Sequence, residues 1–86
     1  MPIISAFFGI VIRIFHLDHD PPHIHATYAG QVAVYDIRTG RRLYGKLPVR
    51  AERLVQEWLK ARRQEVQQAW EAARQHRLPR KVKPLE

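Results

Sequence analysis

A chain of 86 residues with 45% hydrophobic and 27% charged side chains has room for one packed core and not for a second, and it is too apolar for wholesale disorder. Its lack of cysteine excludes a disulfide framework and a thiolate zinc site, so any metal would be held by imidazole and carboxylate. The net charge of +7 lies in the C-terminal half, where residues 41–86 carry thirteen basic and five acidic side chains against two and three in residues 1–40. Such asymmetry points to a polyanionic partner, RNA or DNA or an acidic protein. A solvated helix rich in Lys and Arg accounts for it equally well.

The longest apolar run, Ile3 to Ile12, is broken by Ser5 and Gly9 and followed by Arg13, about half of what a membrane span needs. No basic residue precedes it and no cleavage pattern follows, so no membrane association, no signal peptide and a cytoplasmic location are expected. Met1 to Phe8 is expected as a short strand or extended arm, and Gly9 to Phe15, rich in β-branched residues, as a central strand. Arg13 within it must meet a carboxylate, solvent or a site, because an unpaired buried charge costs several kcal/mol. His16 to Pro22 is a stiff loop, since Pro21-Pro22 removes two ladder donors.

His23 to Tyr28 alternates, with His23, His25 and Thr27 on one face and Ile24, Ala26 and Tyr28 on the other. Tyr28-Ala29-Gly30-Gln31 reads as a tight reversal into a strand from Gln31 to Ile37. Asp36-Ile37-Arg38-Thr39-Gly40 reads as a hairpin turn into a last strand, Arg41 to Lys46. Pro48 suits the first position of a helix running to about Gln75. At roughly 100° per residue, Ala51, Val55, Trp58, Leu59, Val66, Ala69, Trp70 and Ala73 share one side, with Arg53, Lys60, Arg63, Gln67, Glu71 and Arg74 opposite. Arg62 falls in the apolar stripe, so either the helix breaks near Arg62-Arg63 or this cation faces inward. The expected fold is therefore α+β: a three- to four-stranded antiparallel meander, packed on one face by a C-terminal helix or kinked helix pair. Residues 1–76 form the domain, and residues 77–86 an extended basic tail laid along it through Leu78, Val82 and Leu85.

Chemistry is concentrated in Asp18-His19-Asp20-Pro21-Pro22-His23-Ile24-His25. Imidazole exchanges protons near neutrality, so two on one face can serve as general base and general acid. His23 and His25, at i and i+2, would have Cα atoms roughly 6 to 7 Å apart, a spacing that brackets a phosphate or offers two nitrogens to a metal. The catalytic set read from the sequence is His23, His25 and His19 with Arg62, Arg62 or Arg13 stabilising a charged phosphorane. Arg13, Arg50, Arg53, Lys60 and Arg63 are the expected nucleic-acid contacts. The alternative is a divalent metal on His19, His23, His25 and Asp18; without it, no cofactor is expected. The bland alternative is that the histidines are surface residues and Asp18 caps a turn.

The opening Met1-Pro2-x-Ile4-Ser5-x-Phe7-x-Gly9-Ile10, the Asp18-His19-x-Pro21-Pro22-His23-x-His25-Ala26 block, Gly45-x-Leu47-Pro48 and the two helix tryptophans resemble a bacterial family of short proteins, domain-of-unknown-function family 4160. The resemblance covers essentially the whole chain and carries no biochemical activity. It implies a neighbouring gene for a second small protein, in an arrangement like a toxin–antitoxin pair. It also implies a histidine in many members where this chain has Arg62, which puts proton transfer at that position in doubt. The expected function is thus a component of such a module that binds or cleaves nucleic acid, a ribonuclease-like toxin being the enzymatic form of that expectation. The competing expectation is a non-enzymatic antitoxin or regulator, with homodimerisation open in either case.

Overall fold

At Pro48 the hydrophobic period changes from two residues to about 3.6, and there the chain passes from sheet to helix. The computed structural model describes residues 2–15 and 19–86. Its elements are β1 (Ile3–Phe7), β2 (Ile10–Arg13), β3 (His23–Tyr28), β4 (Gln31–Asp36), β5 (Arg42–Gly45) and α1 (Val49–Arg74). The strands form one antiparallel sheet in chain order, so the fold is α+β. The sheet has one strand more than the upper expectation of four. Phe8 and Gly9, at φ 49° and 81°, reverse the chain so that Phe7 faces Ile10, the primed-turn geometry that matches strand twist. The N-terminal segment thereby becomes a full strand.

One face of the sheet carries Ile10, Ile12, Ile24, Ala26, Ala33 and Tyr35, all buried with Val55, Trp58, Leu59, Val66 and Trp70 of α1 in a single core. Both tryptophans are buried, as their helical positions predict. Tyr35 ties the layers together: its hydroxyl donates to Glu52 at 2.9 Å, and Arg42 donates to the same carboxylate oxygen at 3.3 Å.

The helix starts one residue later than expected, with Pro48 as its N-cap residue, and it kinks at Arg62, where φ/ψ is −121°/23°. A straight helix would press this guanidinium into the apolar stripe, where it would lack a partner. At the kink it is 29% exposed and pairs with Glu65 at 3.5 Å. The expectation of an inward-facing cation directed at the histidines is corrected to a pair within the helix.

The C-terminal tail lies along the domain. The Val82 N–H donates to the Ile4 carbonyl at 2.7 Å, and the Trp58 indole N–H donates to the Lys83 carbonyl at 2.9 Å. Val82 is buried and Leu85 half-buried, but Leu78 is 85% exposed and does not anchor the tail; the buried residue beside it is Pro79. No helix among the described residues is long and apolar enough to cross a membrane.

Candidate functional site: a histidine pair on the open sheet face

Strand alternation places the side chains of one face of β3 into the core and leaves the others on the face that α1 does not cover. Ile24 and Ala26 are buried, whereas His23, His25 and Thr27 are half-buried. The antiparallel register sets Arg13 of β2 opposite His25 and Val11 opposite Thr27. Arg13 reaches across to the Thr27 hydroxyl at 3.5 Å, a long contact that aims the guanidinium along the face. One cation, one hydroxyl and an imidazole are thus presented together by two paired strands.

The two imidazole rings lie 5.2 Å apart, centre to centre. Phe15 meets the His25 ring edge-on at 4.3 Å and 90°. His23 stands at the start of β3, where the last turns of the longer α1 reach the end of the sheet. Its ring lies 5.1 Å from that of Trp70. Nearby, Arg74 pairs with Asp20 at 3.6 Å, tying the helix to the proline loop. The His23 Nδ1 lies 2.8 Å from the Pro21 carbonyl oxygen. A carbonyl only accepts, so Nδ1 carries the proton and, in the neutral ring, Nε2 holds the lone pair. The proline loop therefore sets the tautomer of His23.

Two imidazoles with a neighbouring guanidinium can bind an oxyanion and exchange protons with it. The structure brings together His23, His25 and Arg13, with Thr27 beside them. His19 is exposed, and Arg62 is engaged with Glu65. Asp18 and His16 lie outside the described residues. Among the described residues no three His, Asp or Glu side chains gather as a metal set.

The expected nucleic-acid contacts are divided by the sheet. Arg13 is on the open face, whereas Arg50, Arg53, Lys60 and Arg63 belong to α1 on the other side. Arg50 borders a hollow with Phe8, Tyr28 and Leu54. Lys60 and Arg63 flank the β4–β5 turn, where the Arg63 Nε donates to the Ile37 carbonyl at 3.3 Å. Sequence reasoning passed over Phe15 and Trp70 as the walls of the histidine pair. Phe15 could have been found from its place two residues beyond Arg13; the Trp70 contact joins residues far apart in the chain, which no local pattern encodes.

No curated protein and no solved structure matches the chain. The model of one family, the domain of unknown function DUF4160, matches residues 9–71. The matched span holds β2 to β5, the histidine pair and α1 through Glu71. The chain belongs to the DUF4160 family.

Proposed function

We propose that the open sheet face is a phosphodiester site, and that the protein acts on RNA through His23, His25 and Arg13 as one component of a toxin–antitoxin-like pair. The observation that carries this reading is the 5.2 Å separation of the two imidazoles, with Arg13 in register beside His25. Rings so placed reach different oxygens of one phosphate. His23, whose Nδ1–H is committed to Pro21, offers Nε2 to remove the proton of a ribose 2′-hydroxyl. The 2′-oxygen then bonds to phosphorus while the bond to the 5′-oxygen breaks. Protonated His25 supplies the proton to that leaving oxygen, and Arg13 stabilises the charge on the phosphorane. The products are a 2′,3′-cyclic phosphate and a 5′-hydroxyl. A small protein encoded by the neighbouring gene is the partner that this reading requires to restrain the activity.

The test is cleavage of end-labelled RNA by the wild type, His23→Ala and His25→Ala, with folding followed by circular dichroism. Each substitution is expected to lower the rate by about 100-fold or more, and a 2′-deoxy substrate is expected to stay intact. Cleavage unaffected by both substitutions, or an inert wild type, overturns the ribonuclease reading.

A further inference from the structure

We propose that the outer edge of β5 receives an acidic, extended segment of another protein as an additional strand. The chain treats the two edges of its sheet differently. At β1 the C-terminal tail comes alongside, through the Val82 N–H on the Ile4 carbonyl. At β5 all four residues are exposed, and among the described residues no strand lies beyond them. An open edge presents ladder donors and acceptors to any extended peptide.

This edge also carries apolar surface. Leu43 is 46% and Tyr44 78% exposed, and Val32 on the neighbouring strand is 49% exposed. Tyr44 lies opposite Val34, which lies opposite His25, so Tyr44 extends the open face of the sheet outward. A strand added there would gain ladder bonds and cover these side chains together.

Charge decides the occupant. Arg41, Arg42 and Lys46 lie within six residues. The nearby carboxylates are occupied: Glu52 accepts from Tyr35 and Arg42, and Asp36 accepts from the Arg38 and Thr39 N–H groups. Arg42 is itself paired with Glu52, so antiparallel pairing of β5 with a second copy would gather the four other cations, Arg41 and Lys46 of each chain, along one short ladder, an arrangement that like charges disfavour. A strand bearing Glu or Asp meets the same cations with opposite sign. The ladder groups favour a peptide over a nucleic acid, which has no backbone amides to pair with them.

The experiment uses the full chain, labelled with 15N, and two synthetic peptides that alternate valine with glutamate or valine with lysine. At millimolar acidic peptide, amide hydrogen exchange at Arg42, Leu43, Tyr44 and Gly45 is expected to slow about tenfold, and the lysine peptide to have no effect. The double variant Arg41→Glu/Lys46→Glu, folded by circular dichroism, is expected to reverse the preference. The proposal is overturned by unchanged exchange at β5 with the acidic peptide, by protection confined to α1, or by protection that grows with protein concentration alone. Equal protection by an oligouridylate also overturns it. His23→Ala and His25→Ala protein is expected to bind the peptide like the wild type, so this result is independent of the ribonuclease test.

Discussion

The Tyr35 hydroxyl sits in the core and donates to Glu52. Burial first, and then the hydrogen bond and negative charge of Glu52, hold it above the ordinary tyrosine range, against the opposing pull of Arg42. Its folded-state pKa is raised, so its contribution is complete below the unfolded value near 10 and is lost as pH climbs beyond that toward the folded value. Tyr35→Phe is expected to cost about 1.5 kcal/mol at neutral pH, the usual worth of a hydrogen bond to a charged group. The gap between the variant and the wild type should narrow above about pH 10, which urea melts at pH 8 and pH 10.5 would measure. A gap that widened instead would mean that Glu52, left with Arg42 alone, dominates. At the same scale the sequence disclosed that His23, His25 and Thr27 share a face, because strand alternation is local. It did not disclose the Pro21 carbonyl that fixes the His23 tautomer, which depends on how the proline loop folds back.

Among the elements, α1 shows how far periodicity reaches. Its buried stripe, Ala51, Val55, Trp58, Leu59, Val66, Ala69, Trp70 and Ala73, matches the 3.6-residue expectation, while the kink at Arg62 appears in the sequence only as a conflict between charge and stripe. Arg62→Ala is expected to change stability by about 0.5 kcal/mol or less, because its partner Glu65 is half-exposed; a loss several times larger in a thermal melt would show that the guanidinium holds the kink. Trp58→Ala and Trp70→Ala should each cost about 3 to 5 kcal/mol. The two differ in their N–H groups. That of Trp58 is bonded to the tail at Lys83, whereas that of Trp70 is buried without a hydrogen-bond partner among the described residues. Trp58→Phe should therefore cost about 1 kcal/mol more than Trp70→Phe in urea unfolding, and it should also loosen the tail. Equal losses would place the tail contact outside the stability balance. The first segment was legible as a short strand or an extended arm without a choice between them, because its turn needs a positive φ at Phe8, a conformation that phenylalanine does not advertise.

At the scale of the molecule, the sheet separates two surfaces that the sequence presents as one. The basic excess of residues 41–86 suggests a single polyanion site joining the histidines to the helix cations. The structure instead sets Arg13, His23, His25 and Thr27 on the open face, and Arg53 and Lys60 on the helix layer behind it. A short RNA held at the histidine pair would therefore leave the outer side of α1 untouched, whereas binding by diffuse charge would concentrate there. An NMR titration with an uncleavable 2′-O-methyl oligoribonucleotide distinguishes the two whether or not the protein is an enzyme. The account predicts shifts at Arg13, His23, His25 and Thr27 with Arg53 and Lys60 unmoved; shifts confined to α1, with both imidazoles unmoved, would contradict it.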